Sequence, residues 1–547
     1  MKRYLSVILL LLFFTVHAYP QKYRFTHQDT LRGSITPERS WWDLTFYHLD
    51  IAVNPADSTI KGTNTVYYRV LNPSSVMQID LQPPLVLISA FQSGRQLEIT
   101  HDGNAHFIKL TDAQEKGELK SVVLTYGGRP HIAKRPPWDG GITWKKDKNG
   151  LPFVASACQG AGASLWWPCK DHMYDEPDSM LITVTVPDNL VDVSNGRLRS
   201  VTTDRKKKTR TYNWFVANPI NNYGVNINIG DYVNFTEKFN GEKGVLDCSY
   251  WVLKENLEKA KEHFKQVPLM LKAFEHWFGP YPFYEDSYKL VDAPYLGMEH
   301  QSSVTYGNGY KNGYMGYDLS GTGWGEKWDF IIVHESAHEW FANSITYKDV
   351  ADMWVHESFA NYAESLFTEY YWGKDAGTEY VRGTRKNINN DSPVIGFYNV
   401  NNEGSGDMYY KGGNMLNTLR RIVNDDDKWR EILRGMNRDF YHQVVEGTQI
   451  ENYLSEKTGM DLKPFFDQYL RDVRVPVFEY YVSDSVLSFR WNNCGQRFNM
   501  PLRINVSGTS KLIYPRIFWN TLKLDSDNPV IEADRDFYVA SFNIMGK

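Results

Sequence analysis

His334-Glu335-Ser336-Ala337-His338, followed by Trp354-Val355-His356-Glu357-Ser358-Phe359-Ala360, is the stretch on which the reading of this chain turns. Two imidazoles four residues apart stand one above the other on a single helix face, so His334 and His338 can aim ring nitrogens at one tetrahedral Zn²⁺. Glu335, beside the first of them, is placed to take a proton from a water that the metal activates, and Glu357 offers a third ligand from a second helix. The flanks Trp328-Asp329-Phe330-Ile331-Ile332-Val333 and Trp340-Phe341-Ala342 are apolar and suit a buried helix through the motif. Two histidines and a glutamate buried there would be costly without a metal or partners, which favours a ligand set over a chance string on a solvated helix.

A chain of 547 residues exceeds what one core can organise, and two to four domains is the expectation. With 42% hydrophobic and 23% charged residues the composition is that of a folded globular protein, and a net charge of -5 gives no footing for nucleic acid. The 15% aromatic content suits large β-sheets and aromatic-lined clefts. Met1-Lys2-Arg3, an apolar stretch from Leu5 to Val16 and then Val16-His17-Ala18 read as a secretory signal peptide over 1–18, cleaved near Ala18. A periplasmic or extracellular protein follows, with no lipoprotein cysteine and no transmembrane anchor expected. Cys158, Cys169, Cys248 and Cys494 hold no metal-type spacing; a Cys158 to Cys169 bridge and buried free thiols both remain open.

From Trp41 to Cys248 apolar residues recur at period two, as in Phe46 to Val53, Gly62 to Val70 and Met180 to Val186, which predicts an all-β domain of sandwich or saddle type over 19–250. The run Arg205-Lys206-Lys207-Lys208-Thr209-Arg210 reads as a solvated hairpin within it. Helical periodicity begins at Leu253, continues to Trp277 and stops at Gly279-Pro280; a glycine-rich loop covers Gly307 to Gly325. Further helices are expected at Gly412 to Val423, Trp429 to Met436, Ile450 to Glu456 and Leu462 to Arg471, giving a mainly helical domain over 251–472. Period two returns after Val475-Pro476 and predicts a small β-sandwich over 473–547. The fold class is therefore multidomain α+β.

The 18 residues from 339 to 356 between His338 and Glu357 reproduce the HExxH-x18-E spacing of gluzincin aminopeptidases, and the chain resembles that zinc aminopeptidase family, which includes alanyl aminopeptidases and leukotriene hydrolase. The resemblance runs over nearly the whole chain after the leader and implies a thermolysin-like catalytic domain with one zinc per chain. Gly297-Met298-Glu299 matches the family's exopeptidase motif, so Glu299 is expected to hold the free α-ammonium of a peptide by a charge-assisted hydrogen bond. Cys158-Gln159-Gly160, ahead of Trp167-Pro168-Cys169, looks like the loop whose Gln makes a second contact to that ammonium. Tyr409-Tyr410-Lys411-Gly412 resembles the family's Tyr-x-Lys-Gly pattern, and in that register Tyr409 is the oxyanion donor.

Three positions depart from the pattern. His300 stands where the family has Asn, Leu296 where it has Gly, and His356, usually Asn, is expected beside the ligands and not among them. The family's large C-terminal helical domain has no counterpart after the β-sandwich, which implies a more open cleft. The resemblance implies release of single N-terminal amino acids from peptides. A zinc endopeptidase or epoxide hydrolase on the same metal site, and a non-catalytic peptide-binding relative, are the alternatives.

Overall fold

The structure, a computed structural model, describes residues 24–111, 114–525 and 529–545. The expected leader over 1–18 lies outside the described residues. The alternation in Trp42–Asn54 becomes a 13-residue strand at the centre of an eight-stranded sheet, antiparallel to Thr59–Val70 and parallel to Ser179–Pro187. Its buried face, Trp42, Leu44, Tyr47, Leu49, Ile51 and Val53, belongs to one apolar core with the strands around it. The four-stranded sheet containing Pro152–Ala157 delivers the chain into the loop at Cys158. The basic run turns a hairpin between Arg197–Asp204 and Thr209–Val216, with Arg205 to Lys208 exposed.

Residue 250, taken from the sequence as the end of this domain, falls inside the strand Gly244–Leu253. That strand and Tyr232–Gly241 pair with Tyr288–Asp292, Val304–Tyr306 and Gly297–Met298 in a single five-stranded sheet. They therefore share a sheet with the strand Gly297–Met298 and not with the strands before residue 231. Period-two patterning marks a strand but not the sheet it joins. The helical run expected from Leu253 likewise divides into Leu257–His263 and Gln266–Phe278.

The zinc-motif helix is short. Asp329 caps Phe330–Ala337 by accepting from the amides of Ile331 (2.9 Å) and Ile332 (3.2 Å), and its other oxygen is held by His263 (2.7 Å) and the Tyr306 hydroxyl (2.8 Å). His338 is its C-cap. The apolar run after it, expected to continue the helix, instead departs from helical backbone at Phe341 and Ala342. Glu357 arrives on the second helix, Trp354–Trp372, whose residues through Thr368 are all buried. Helices Tyr410–Val423, Asp426–Asp439, Gly447–Thr458 and Lys463–Leu470 complete the layer, together with Lys374–Gly383, which no sequence pattern had marked. The C-terminal strands form four- and three-stranded sheets, and their inner residues share one apolar core with the catalytic helices.

One buried ion pair secures the first domain. Lys170 is wholly buried; its ammonium pairs with Asp175, donates to the Trp42 carbonyl (2.7 Å) and lies 3.8 Å from the Trp42 ring centroid. Burial lowers its pKa to about 8 although Asp175 pulls the other way. Replacing Lys170 by Met strands the carboxylate and should cost about 3–5 kcal/mol in urea denaturation, with much of it regained in Lys170→Met/Asp175→Asn. Because the folded pKa lies below 10.5, the unfolded chain holds more protons between about pH 8 and that value. The Lys170 contribution to stability should thus grow as pH rises through this window, and denaturation at pH 7.5 and 10 measures it.

Candidate active site

Helix geometry brings the two imidazoles of the motif together, their ring centroids 5.0 Å apart. Each has one nitrogen committed to the protein. His334 Nδ1 is 2.8 Å from Glu364 Oε1, and His338 Nδ1 is 2.9 Å from the Phe341 carbonyl, which the break in the helix turns toward it. These contacts direct both Nε2 atoms at Glu357, whose Oε2 lies 3.6 Å from His334 and 3.3 Å from His338. That oxygen is buried and has no hydrogen-bond partner. Spacings of this size match the roughly 3.3 Å ligand separation that tetrahedral bonds of about 2.0–2.1 Å require. Donor type, burial and the orphaned oxygen all fit Zn²⁺ held by His334, His338 and Glu357, whose donor atoms lie within 4.8 Å of one another.

The charges in the pocket are mutually opposed. Burial pushes the Glu335 carboxyl up to about 7, with Glu299 adding to the shift while His334 and His338 oppose it. Burial would lower His338, yet Glu357 and Glu299 raise it to about 9. Glu357 is held well below the carboxylate range because the two histidines outweigh its burial. A pocket with this many carboxylates calls for a cation.

Glu299 is 2% exposed and is not a surface strand residue. It follows the short strand Gly297–Met298, which pairs with Val304–Tyr306 beside the motif helix. A Cβ at Gly297 would lie 2.7 Å from Ile331 and 3.1 Å from Glu335 Oε1, so only glycine lets this strand run so close to the helix. Gln159 reaches across from the β-domain, its Nε2 donating to Glu299 Oε1 (2.7 Å) and Glu357 Oε1 (2.8 Å). The first-domain loop and the metal donor set are thereby joined by one amide.

Tyr409 caps the helix Tyr410–Val423, with its ring 6.1 Å from that of His334 and facing the cleft. The Lys411-Gly412 pair explains the register. Lys411 is buried and donates to the Asp472 carbonyl (2.9 Å), and a Cβ on Gly412 would lie 1.9 Å from Ser358 Oγ. Close approach of this helix to the one bearing Glu357 therefore fixes where Tyr409 points. Tyr410 lies outside the residues that line the cleft.

The three departures have separate fates. His300 is buried, with Nδ1 3.3 Å from Thr305 Oγ1, and burial lowers its pKa to about 3. His356 accepts from the Tyr347 amide at Nε2 (2.9 Å) and faces the Tyr223 hydroxyl with Nδ1 (3.5 Å), so neither nitrogen serves the metal. Leu296 is part-buried, and its carbonyl accepts from the Gly307 amide (2.8 Å). Cys158 and Cys169 are both buried free thiols.

Several contributors carried no sequence signal. Tyr223, from the β-domain, donates to Glu299 Oε1 (3.1 Å), and Glu364 is fixed by Asn361 (3.0 Å) and the Tyr380 hydroxyl (2.7 Å). Trp138, Met353, Met408 and Glu403 line the cleft. Glu364 was within reach, since it stands seven residues after Glu357 on the same helix face. Its replacement by Gln should weaken zinc binding about 10- to 100-fold in chelator competition, with the fold preserved by circular dichroism.

Residues 263–469 match the Peptidase family M1 domain. The chain is 28% identical over 200 residues to aminopeptidase N of Lactococcus lactis, covering 32% of this chain and 23% of that protein. It is 22% identical to leucyl aminopeptidase of Saccharolobus solfataricus (82% and 56%) and 24% identical to mouse aminopeptidase B (81% and 71%). It spans under two thirds of the length of the first two. An M1 zinc metallopeptidase of Deinococcus radiodurans, solved as a mutant with a Tyr-Ser-Ala substrate, superposes with a TM-score of 0.66 at 20% identity, covering 79% of this chain and 95% of that one. The donor set thus lies within residues 263–469, the segment that matches the Peptidase family M1 domain, on a fold shared with an M1 zinc metallopeptidase.

Proposed function

We propose that this chain is a zinc-dependent aminopeptidase that hydrolyses the first peptide bond of substrates with a free N-terminus. The observation that carries the reading is the Gln159 amide spanning Glu299 and Glu357. A carboxylate tied to a metal ligand through one side chain measures a fixed distance from the metal to a substrate's ammonium. Glu299 accepts from that ammonium, and the Gln159 side-chain carbonyl takes a second of its hydrogens. When bound, zinc polarises the scissile carbonyl and lowers the pKa of the attacking water.

Glu335 takes the proton of that water as it adds to the carbonyl carbon and passes it to the leaving amine nitrogen as the C–N bond breaks. The Tyr409 hydroxyl donates to the oxyanion in between. One amino acid and a peptide shorter by one residue leave the cleft. Burial of Glu299 beneath Gln159 and Tyr223 disfavours the endopeptidase alternative, since an internal peptide brings no cation to it.

Export to the periplasm or outside the cell is part of this proposal, supported by the leader-like Met1 to Ala18. Among the described residues no helix is long and apolar enough to cross a membrane.

Hydrolysis of aminoacyl amides should cease on chelation and return with one zinc per chain. Glu335→Gln should lose about 10²–10⁴-fold in kcat, and Tyr409→Phe about 10²–10³-fold. N-acetylation of the substrate should abolish turnover by the wild type. Equal cleavage of free and acetylated peptides would instead make the chain an endopeptidase.

A further inference from the structure

The helix His27–Gly33 lies outside the machinery described so far, yet it touches both walls of the cleft. It is fixed to the β-domain by Arg39, which is wholly buried. One of that guanidinium's nitrogens, Nη1, donates to the carbonyls of Leu31 (2.9 Å), Arg32 (3.0 Å) and Ser34 (2.8 Å), and Nη2 pairs with Asp80 (2.6 Å). The carbonyls that end a short helix are thus satisfied by a cation that cannot move.

From its last turn Arg32 Nη2 donates to the Gly160 carbonyl (2.8 Å). That carbonyl belongs to the residue after Gln159, in a turn closed by the Ala161 amide on the Gln159 carbonyl (2.6 Å). Gly160 and Gly162 both have positive φ, +65° and +92°. A Cβ on Gly162 would lie 2.4 Å from Arg32 Nη2 and 2.2 Å from Asp171 Oδ2, so the loop is threaded between these two side chains. Arg32 therefore anchors the Gly160–Ala161 peptide, the next unit but one along the turn that presents Gln159 to the cleft.

The same helix rests on the opposite wall. A Cβ on Gly33 would lie 2.2 Å from the Val400 carbonyl carbon and 2.5 Å from the Asn401 nitrogen, and the ring of Phe25 packs 5.3 Å from that of Phe397. These residues belong to the segment 396–404, which bears Glu403 and leads to Tyr409. At its end the two walls meet: Glu403 Oε2 lies 3.1 Å from where a Gly160 Cβ would stand. Gly33 is thus the point at which helix and segment come into backbone contact.

We propose that Arg32 is a positioning residue for recognition of the substrate ammonium, acting through the Gly160 carbonyl on Gln159, and that its helix is a strap holding the Gln159 loop in register with the segment 396–404. The inference rests on the aminopeptidase reading. It assigns a contribution to substrate binding to a segment that precedes the β-sheet domain and touches no substrate itself.

The test uses the full zinc-loaded chain with an aminoacyl amide, comparing Arg32→Ala, Arg32→Lys, Gln159→Ala and the double variant Arg32→Ala/Gln159→Ala. Arg32→Ala should raise KM about tenfold, as loss of a charge-assisted hydrogen bond that orders the amide, with kcat changed by no more than about twofold. Arg32→Lys, which retains a donor, should restore most of the loss. The double variant should be no worse than Gln159→Ala, because both act on one contact. An unchanged KM in Arg32→Ala while Gln159→Ala is impaired would overturn the strap alone. Additive losses, or a fall in Tm with KM unmoved, would reduce the helix to packing. A silent Gln159→Ala would overturn the ammonium site itself and the strap with it.

Discussion

The constraint on which the structure depends is the burial of negative charge. Glu299, Glu335, Glu357 and Glu364 are each at most 9% exposed, within one junction between a β-domain and a helical domain. Carboxylates there cannot all remain ionised without compensation. Glu364 is answered by His334, Asn361 and Tyr380, and Glu299 by Gln159 and Tyr223. Glu357 keeps an oxygen with no hydrogen bond, turned to the two Nε2 atoms. The cation that would complete this balance is the one the proposed reaction needs, so folding of the site and that chemistry impose the same demand.

Much of the surrounding architecture serves to hold these groups apart at working distance. The helix carrying His334 ends just after Ala337, and the backbone break at Phe341 turns a carbonyl back to His338. Gly297 and Gly412 are two places in the site where a Cβ would meet a neighbour, one keeping the Glu299 strand against Ile331 of the motif helix and the other keeping the Tyr409 helix against Ser358. At both, a methyl group would force the neighbouring element to shift. Glycine is thus used for proximity here, and at Gly160 and Gly162 for positive φ.

The first domain is a working part of the site. Its loop contributes Gln159, its turn at Asn222–Gly224 contributes Tyr223, and its exposed Trp138 stands at the rim. The C-terminal sheets share a core with the catalytic helices and take hydrogen bonds from them, as in the 2.8 Å bond of the Tyr469 hydroxyl to the Tyr538 carbonyl. A cleft assembled from two domains needs such ties, because a shift of 1 Å in either wall would separate Gln159 from its carboxylates.

By itself the sequence determined the three-part α+β order and the pairing of His334 with His338, since both are written in local spacing, whereas the expected role of Tyr409 came from a family resemblance. Helical periodicity places His334 and His338 together, and period two identifies strands. It could not say that Tyr232–Gly241 and Gly244–Leu253 join the catalytic sheet, nor that the helix breaks after the motif, because strand pairing and helix ends were decided by contacts distant in the chain. Tyr223 and Arg32 were invisible for the same reason. A tyrosine and an arginine without a motif acquire roles only when tertiary structure sets them within about 3 Å of Glu299 and Gly160, where burial makes each hydrogen bond costly to leave unmade.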